Sequence, residues 1–559
     1  MTTTNARTGA QILVDQLTIQ GVEHVFCVPG ESYLAVLDAF CDAKIEITVC
    51  RQETGAGIMA DASARLTGRP GVVFVTRGPG ATNAAHAIHI AEHDSVPLVM
   101  FIGQVERGML GRGAFQEMDF EAFFGSTAKW VTEIHDPARI PEVVARAFHV
   151  AMQGRPGPVV ISLPEDMLVE TANAADAARV EAVHIHPGLG EMARLRDMLA
   201  KAKRPIAILG GSDWSADACK SFRVFAEKFD MPVVTSFRRT MLFDAEHANY
   251  CGELSLGANP ALVKRIADAD LVLLIGGRMA EVPSQAYTLF DIPTPRQTLV
   301  HVHADAKELG RVYQAALAIN ATPQAFCEVL PMLEELKEIG WRGETKAARE
   351  AYLAFTNLDA KIPGDVQLNE IMLWLRKRLP ADAIVTNGAG NYAIWVGRYL
   401  RIRQFGGLLA PVSGSMGYGL PAAVGAKRVQ PDKTVVCFAG DGCFMMHGQE
   451  FATAVQYGLP IIVVLVDNGM YGTIRMHQEK HYPGRVSATS LQNPDFAAYA
   501  QAFGGHGERV ERTEQFAPAF ERALASGKPA ILHCLIDPQT ITPSTTLEKI
   551  RAAALQAGQ

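Results

Sequence analysis

The sequence has 559 residues, of which 48% are hydrophobic and 20% are charged, and its formal net charge is −7. This length predicts two to four domains, since one domain takes about 150 residues, and the composition is typical of a soluble globular protein. The negative charge argues against a nucleic-acid partner. The apolar runs are too short to span a membrane and the first residues lack the apolar core of a signal peptide, so we expect a cytoplasmic protein.

The nine cysteines are scattered along the chain, without a C-x-x-C pair. This spacing predicts neither a disulfide framework nor a zinc ribbon. Most of these side chains are therefore expected to be small buried hydrophobes in a reducing compartment.

Short apolar runs rich in Val, Ile and Leu alternate with segments of helical length, which is the pattern of parallel sheets covered on both faces. The predicted class is α/β. The clearest runs begin at Gly71, Pro97, Arg204, Ala269, Lys433 and Pro460. Two polar stretches, 166–188 and 334–365, interrupt the alternation and are interpreted as linkers. They separate an N-terminal domain (1–170), a central domain (188–340) and a C-terminal domain (362–545), each of ordinary domain size.

The segments that begin at Val72 and Val435 share one order of elements: an apolar strand, a glycine turn, a helix, and a proline that opens another apolar strand. This order indicates the same βαβ plan in the first and third domains, although unrelated βαβ units can also look alike. The central domain has glycines after its strands but lacks G-x-G-x-x-G, so they are interpreted as ordinary strand-to-helix turns.

Asp441 and Asn468 each follow an apolar strand, which places both at carboxyl ends of strands, where open α/β sheets bind ligands. A carboxylate and an amide oxygen suit Mg²⁺, which takes few protein oxygens when a phosphate supplies others. Gly440 and Gly442 let backbone N–H groups approach a phosphate at the start of the next helix. The pattern predicts a metal-bridged diphosphate, although an isolated Gly-Asp-Gly is usually an ordinary turn.

The stretch from Val424 to Gly472, with Gly440-Asp441-Gly442-Cys443 and Asn468 at their spacing, resembles the thiamine-diphosphate motif of the acetolactate synthase, pyruvate oxidase and decarboxylase superfamily. Further segments along nearly the whole chain are similar to the acetolactate synthase large subunit, among them GVEHVFCVPGE, RQETGAGIMADASARLTGRPG and SGSMGYGLPAAVGAK. The resemblance implies a first domain that binds the cofactor's pyrimidine, a middle domain, and a third domain that binds its diphosphate. The first and third domains would share the thiamine-diphosphate-binding fold.

The resemblance also assigns roles to single residues. Glu53 would hydrogen-bond the aminopyrimidine, because a buried carboxyl can share a proton with that ring; the alternative is a solvated glutamate at a helix start. Met416 would lie under the bent cofactor, where simple core filling is the alternative. Gln116 resembles an active-site glutamine that reaches across the subunit interface, with a solvated loop residue as the alternative. Apart from the resemblance, His477 is a further catalytic candidate as a proton carrier, and a solvated loop histidine is the alternative. The metal ligands would be Asp441, Asn468 and the backbone oxygen of Met470, and the cofactor-binding set is Glu53, Gly390, Asn391, Met416, Gly440, Asp441, Gly442, Cys443, Asn468, Met470, Tyr471 and Gly472.

Several positions depart from the family pattern. His477 stands in the stretch where the family has an acceptor-pocket tryptophan, and Val282 stands where it has a second middle-domain arginine. Glu31 and Ser32 replace a glycine and an alanine beside the predicted active site. The resemblance allows FAD as a cofactor, but the change at Val282 and a missing flavin-contacting segment argue against it.

The resulting hypothesis is thiamine-diphosphate- and Mg²⁺-dependent decarboxylation of a 2-oxoacid, followed by transfer of the acyl carbanion to a second carbonyl, as in acetolactate synthase. One alternative is a decarboxylase or lyase acting on a 2-oxoacid or an oxalyl-CoA-like substrate without ligation. Another is a catalytically silent subunit that binds the cofactor. The resemblance implies a homodimer or homotetramer with active sites at the dimer interface.

A separate metal site is also conceivable, because His86, His89 and His93 lie on one face of a predicted helix. The other interpretation is a helix packed at an interface between domains or subunits.

Overall fold

The computed structural model describes residues 6–357 and 360–557. The first segment of the chain contains strands β1 (Arg7–Thr8), β2 (His24–Cys27), β3 (Glu46–Val49), β4 (Gly71–Val75), β5 (Leu98–Gln104), β6 (Trp130–Glu133), β7 (Pro158–Pro164) and β8 (Thr171–Ala172). Its helices are α1 (Gly9–Ile19), α2 (Leu34–Ala39), α3 (Glu53–Thr67), α4 (Gly78–Asp94), α5 (Phe120–Phe124), α6 (Ile140–Met152) and α7 (Glu165–Val169).

The middle segment contains strands β9 (Pro205–Leu209), β10 (Val233–Ser236), β11 (Tyr250–Leu254), β12 (Leu271–Ile275), β13 (Thr298–His303) and β14 (Leu317–Asn320). Its helices are α8 (Leu189–Lys201), α9 (Ala216–Lys228), α10 (Pro260–Ala267), α11 (Pro323–Val329) and α12 (Glu344–Thr356).

The third segment contains strands β15 (Ile384–Asn387), β16 (Leu408–Leu409), β17 (Val435–Gly440), β18 (Ile461–Asp467), β19 (His506–Val510), β20 (Ala530–Leu535), β21 (Thr540–Thr542) and β22 (Thr545–Thr546). Its helices are α13 (Leu368–Arg378), α14 (Tyr392–Tyr399), α15 (Gly419–Val429), α16 (Asp441–Met445), α17 (Glu450–Gln456), α18 (Gly472–His481), α19 (Phe496–Ala502), α20 (Thr513–Ala525) and α21 (Leu547–Ala557).

Each segment builds a six-stranded parallel sheet flanked by helices, which confirms the predicted α/β class. The first sheet has the order β3-β2-β4-β5-β7-β6 and the third has β16-β15-β17-β18-β20-β19, so both follow one strand order. The predicted common plan of these two segments is therefore confirmed. The middle sheet differs, with the order β11-β10-β9-β12-β13-β14 known from doubly wound nucleotide-binding folds.

The apolar runs form the cores because their side chains are buried on both faces of each sheet. Every residue of β4, β5 and β12 is buried. Helix ends follow local chemistry as well: the Gln52 side chain accepts a hydrogen bond from the Gly55 N–H at the start of α3, and Gly68 ends this helix with φ +69°. Local signals and burial thus agree along these elements.

The chain packs as two compact units. The first unit holds the chain up to Val183 together with Pro421–Pro431 and His447–Tyr457, and the second holds the remainder. Within the first unit, the Tyr457 hydroxyl accepts a hydrogen bond from the Val49 N–H at 2.8 Å, and Arg428 lies 2.9 Å from the Glu46 carboxylate. Most of α15 and all of α17 therefore pack with the first sheet's unit, although they come from the third segment.

The second predicted linker, 334–365, contains a helix that the sequence interpretation missed. Helix α12 packs beside β11, where the Tyr352 and Tyr250 rings meet edge to face with centroids 5.2 Å apart. Near its start, the Thr345 hydroxyl and the Trp341 indole both donate to the Asp230 carbonyl, at 2.6 and 2.8 Å. The stretch is charged overall, but its apolar positions anchor it to the middle core.

All nine cysteines are unpaired and most are buried, as their spacing predicts. Among the residues that the structure describes, none of the helices is both long enough and apolar enough to cross a membrane.

Candidate active site

Asp441 and Asn468 lie at the carboxyl ends of β17 and β18, the two central strands of the third sheet. We call this group of residues the third-sheet corner, and the residues around Glu53 at the start of α3 the first corner. Strands β17 and β18 are parallel neighbours, with Gly440 opposite Val466, so the residues that follow them emerge at the same sheet edge. Asp441 is the first residue of α16 and is only 3% exposed. A carboxylate at a helix start lies where the helix dipole favours negative charge. The strand-end placement inferred from the sequence is thus what the structure shows.

The segment after β18 folds back on itself. The Asn468 side-chain oxygen accepts a hydrogen bond from the Met470 N–H at 3.3 Å, and Met470 forms an isolated antiparallel bridge with Ser490. A Cβ atom on Gly472 would lie 2.9 Å from the Asn468 amide nitrogen, so a side chain there would displace the amide. Asn468 is therefore held by the turn that contains it.

A hydrogen-bond network lies behind Asp441. The Asn493 amide nitrogen donates to Asp441 Oδ2 at 2.7 Å and to Asp467 Oδ1 at 2.8 Å. His533 Nε2 lies 2.9 Å from the other oxygen of Asp467. Burial raises the pKa of Asp441. Burial also acts to raise the pKa of Asp467, but hydrogen bonds with His533 and Gly469 bring it below its usual range.

Two tyrosine rings close the corner around the glycines. A Cβ on Gly442 would lie 2.6 Å from the Tyr471 ring, and one on Gly440 would lie 3.1 Å from the Tyr392 ring. Glycine at position 442 is thus required by the ring packed on it. Cys443 joins the same cluster, since its sulfur accepts a hydrogen bond from the Gly417 N–H at 3.2 Å and lies 3.3 Å from the Tyr392 hydroxyl.

Asn391, one of the predicted cofactor-binding residues, contacts helix α18. Its side-chain oxygen accepts a hydrogen bond from the Thr473 hydroxyl at 2.9 Å, and its amide nitrogen lies 3.6 Å from the Met476 sulfur. Gly390, just before it, has φ +147°. Met416 is partly buried against the core of the third sheet. The core-filling contact is therefore present at Met416, and its proposed cofactor contact stays a prediction.

His477 does not join these contacts. Its side chain is exposed on α18, and its ring stacks on the exposed His481 with centroids 6.2 Å apart. The residues of α18 that contact Asn391 are Thr473 and Met476 instead. A catalytic role for His477 therefore stays a prediction that needs its own test.

Glu53 lies at the start of α3 in the first unit. It is 9% exposed, and its Oε2 accepts a hydrogen bond from the Asn83 amide at 2.9 Å. The alternative of a solvated helix-start glutamate is wrong because the side chain is buried and bonded. A Cβ on Gly80 would lie 3.5 Å from the other carboxyl oxygen, so α4 presents a small residue to that side.

Behind Glu53, the start of α3 rests on a second carboxylate. Glu450 is fully buried, and its Oε1 accepts hydrogen bonds from the backbone N–H groups of Arg51 and Gln52 at 3.1 and 2.9 Å. A Cβ on Gly55 would lie 2.5 Å from the same oxygen. Burial raises the pKa of Glu450, although hydrogen bonds from Thr453 and these N–H groups oppose the shift. Glu450 thus fixes the backbone that carries Glu53.

Gln116 reaches the same region of the first unit through its backbone. Its carbonyl accepts a hydrogen bond from the Gly78 N–H at 3.1 Å, at the beginning of α4. Its φ is +65°, a left-handed conformation that is uncommon for a residue with a side chain. The first turns of α4 therefore contact both the Gln116 loop and the Glu53 carboxyl.

The alternative metal site on α4 has no support. His89 and His93 approach each other with ring centroids 4.4 Å apart, and His86 lies 6.3 Å from His447. Within residues 6–357 and 360–557, no group of three or more His, Cys, Asp or Glu side chains is placed to hold a metal ion. The other interpretation, a helix packed at an interface between domains or subunits, stays a prediction.

Sequence reasoning missed four polar residues that complete these corners: Asn83, Glu450, Asn493 and His533. His533 carried a signal, since it is a buried histidine within an otherwise apolar strand. Asn493 carried none, because it lies in the loop between α18 and α19.

The donors at the third-sheet corner fit a hard cation with a bound diphosphate. Asp441 offers a carboxylate oxygen, Asn468 an amide oxygen and Met470 a backbone oxygen, which is the oxygen chemistry of Mg²⁺ sites. The start of α16 adds N–H groups of the kind that bind phosphate. The middle-sheet glycines have a different role: a Cβ on Gly211 would lie 1.8 Å from the Gly276 carbonyl, so they allow two loops to pack together.

Comparison with known proteins agrees with this arrangement. Three family models match in succession: the N-terminal TPP-binding domain of thiamine pyrophosphate enzymes at residues 7–123, their central domain at 192–330, and their C-terminal TPP-binding domain at 388–534. These matches follow the order of the three sheets.

Similar full-length proteins include the acetolactate synthase isozyme 2 large subunit of Escherichia coli, 33% identical over 95% of both chains. The acetolactate synthase large subunit of Parasynechococcus marenigrum is 34% identical over 94% of this chain and 86% of its own, and that of Corynebacterium glutamicum is 32% identical over 95% and 87%. The protein is therefore a thiamine-pyrophosphate-dependent enzyme and belongs to the family of the acetolactate synthase large subunits.

Proposed function

We propose that this enzyme decarboxylates pyruvate and joins the resulting two-carbon unit to a second pyruvate, forming acetolactate. In this reaction one carbon–carbon bond breaks with release of CO₂, one forms, and one proton is taken up. The observation that supports it best is the pairing of Asp441 and Asn468 at neighbouring strand ends, in a chain similar to acetolactate synthase large subunits. Thiamine diphosphate, when bound, supplies the electron sink for decarboxylation.

Mg²⁺ would be held by Asp441, Asn468 and the Met470 backbone oxygen. The N–H groups at the start of α16 would bind the diphosphate, and Gly390, Asn391, Cys443, Tyr471 and Gly472 would line its surroundings. Because Asn391 accepts a hydrogen bond from Thr473 of α18, the loop of Gly390 and Asn391 would be held against the helix that follows the Asn468–Met470 turn. These residues bind and orient the cofactor and take no part in bond making.

Glu53 would hold or release a proton at the cofactor's pyrimidine. Asn83 occupies its Oε2, so the other oxygen, on the side of Gly80, is the one assigned to the ring. A buried carboxyl that is already bonded on one side keeps one orientation, which general acid–base catalysis requires. Gln116 is assigned to the substrates, and Met416 to the support of the cofactor.

The deciding experiment incubates purified enzyme with pyruvate, thiamine diphosphate and Mg²⁺, and measures CO₂ release and products by NMR. We expect acetolactate only when both cofactors are present. Acetaldehyde without acetolactate would refute ligation, and no CO₂ from pyruvate would refute the donor and lead to a panel of other 2-oxoacids and acyl-CoA compounds. An absorbance spectrum of the purified protein tests for FAD, which the proposal does not require.

Decarboxylation without ligation is the second candidate, and His477 favours it. This residue stands where the family resemblance has a tryptophan of the acceptor pocket, and its side chain is exposed on α18. His477→Trp should then raise the share of ligated product. An unchanged product ratio would argue against a role for His477 in acceptor choice.

The proposal includes a cytoplasmic homodimer or homotetramer in which Glu53 of one subunit and Asp441 of another form each site. Mixing the inactive variants Glu53→Gln and Asp441→Ala tests this arrangement. Half of the randomly formed dimers are hybrids with one intact site, so about a quarter of the wild-type rate should return. No recovery in verified hybrids would mean that both residues come from one chain.

A further inference from the structure

The corner of the third sheet contains more polar groups than the proposed metal ligands need. Asn493 comes from a loop outside both strands, and its single amide nitrogen donates to two carboxylates, Asp441 and Asp467, at 2.7 and 2.8 Å. Asp467 in turn lies 2.9 Å from His533, which is 3% exposed. The four side chains form a continuous chain of contacts from α16 to the interior strand β20.

This chain controls the direction of the Asp441 carboxylate. An amide that donates to Oδ2 restricts the rotation of the carboxyl group, and so sets the direction in which its oxygens face a cation. The same amide donates to both Asp441 and Asp467, two neighbouring carboxylates whose negative charges repel each other, and so bridges them. Gly469 holds Asp467 from the backbone, with its N–H 2.9 Å from Oδ1.

We infer that Asn493 is a positioning residue for the cation, acting through Asp441, and that Asp467 and His533 anchor it. This inference rests on the proposed role of Asp441 as a metal ligand. Partners of this kind orient ligands without touching the metal, and their loss typically lowers metal affinity about 10- to 100-fold.

Mn²⁺ titration followed by electron paramagnetic resonance of the free ion, at saturating thiamine diphosphate, measures the effect without relying on activity. Asn493→Ala should weaken Mn²⁺ binding about 10- to 100-fold. Turnover should return to within a few-fold of wild type at saturating Mn²⁺, because the variant changes metal affinity and not the reacting groups. Asn493→Ser, which keeps one O–H donor, should lose less affinity.

Asn249→Ala is the matched control. Asn249 is a buried asparagine whose amide, like that of Asn493, donates to two acceptors, here the Ala226 and Met231 carbonyls at 3.1 and 2.9 Å, in the middle segment. Its loss should lower thermal stability and leave Mn²⁺ affinity unchanged. Equal Mn²⁺ affinity in wild type and both Asn493 variants would overturn the inference. If wild type itself bound no Mn²⁺ with thiamine diphosphate, the proposed metal site would fail instead.

The anchoring role of His533 is tested by a double-mutant cycle. If Asn493 and His533 act in one chain of contacts, the loss of Mn²⁺ affinity in the double variant Asn493→Ala/His533→Ala should be well below the sum of the two single losses, expressed as free energies. Full additivity would exclude His533 from the network. Thermal unfolding of each variant, with and without Mn²⁺, identifies any that do not fold, and His533→Asn then replaces His533→Ala.

Discussion

The first and third sheets have the same strand order, but the corners at their central strands carry different chemistry. In the first unit the carboxyl of Glu53 is held by the neutral amide of Asn83. In the third segment two carboxylates, Asp441 and Asp467, share one amide donor. Under the proposed function, Glu53 acts on a proton at an uncharged ring, and Asp441 binds a cation with its phosphate. Both sheets provide the same arrangement of strand ends, and the side chains placed there determine which group binds.

The connections after the strands explain part of this difference. Strand β17 ends at Gly440 and α16 begins at once with Asp441, so the acid stands at the helix N-terminus. Strand β4 ends at Val75, and α4 begins only at Gly78. The first corner therefore receives its acid from a different helix, α3, whose start must be fixed separately.

The largest expected effect is the difference between a variant of Glu53 and a variant of Asp441. Glu53→Gln should keep thiamine diphosphate bound while turnover falls about 10²- to 10⁴-fold, because only proton transfer is lost. Asp441→Ala should instead weaken thiamine diphosphate and Mg²⁺ binding by orders of magnitude, since the cation loses one of its few protein oxygens. Calorimetric titration of the cofactor and single-turnover rates measure the two effects.

Asp217→Ala, on an exposed side chain of α9, is the control for that pair and should change neither quantity. If Glu53→Gln lost the cofactor as completely as Asp441→Ala, the assignment of different chemistry to the two corners would be wrong.

A smaller effect is expected from the donor that orients Glu53. Asn83→Ala removes the hydrogen bond to Oε2 and should lower kcat about 10-fold, the usual weight of a hydrogen bond to a charged group. Cofactor affinity should stay near wild type, because Asn83 acts on the orientation of Glu53 and not on the cofactor's diphosphate. The control Asn320→Ala removes an amide that donates to the His303 and Ala304 carbonyls in the middle segment. A kcat equal to wild type would show that Asn83 does not orient Glu53.

Glu450 offers a test of how the first corner is held. Glu450→Ala leaves the backbone N–H groups of Arg51 and Gln52 without their acceptor, and each hydrogen bond lost costs about 0.5–1.5 kcal/mol. Denaturant unfolding should show this loss, together with a fall in kcat because the start of α3 shifts. Restored kcat in Glu450→Gln, which keeps a side-chain oxygen, would support the positioning role. Unchanged stability in Glu450→Ala would contradict it.

These residues show what the sequence could and could not reveal. The sequence revealed Asp441 and Asn468 because each follows an apolar strand, and such a pattern is local. Neighbouring parallel strands end at the same edge of a sheet, so the two residues could be placed together. Glu450 was not found as a partner of Arg51, because 399 residues separate them and no local pattern encodes which helix packs on which. The helix Glu344–Thr356 was missed for a related reason, since its charged face resembles a linker and its Tyr352 contact depends on tertiary packing.

The smallest expected effect concerns the helix that follows the metal turn. On α18, Glu479 is buried and bonded by Arg551 of α21 at 2.6 and 2.7 Å and by Arg475 at 2.5 Å. The hydrogen bond from Arg551, with support from the Gly484 N–H and the charge of Arg475, lowers the pKa of Glu479 to about 2. A carboxyl with a lowered folded-state pKa stabilises the fold above its unfolded value, and this contribution is lost as the pH falls toward 2.

The free energy of unfolding should therefore fall between about pH 4.5 and pH 2 in wild type. In Glu479→Gln that part of the decline should be absent, and stability at pH 7 should be lower by about 2 kcal/mol because hydrogen bonds to a charged group are lost. Lys264→Ala, which breaks an exposed pair with Asp268 on the middle segment, is the control and should change stability by about 0.5 kcal/mol or less. Identical acid profiles of wild type and Glu479→Gln would mean that the charge of Glu479 does not hold α18 to α21. Packing would then hold α18 beside the third-sheet corner, as backbone hydrogen bonds to Glu450 hold the start of α3 in the first corner.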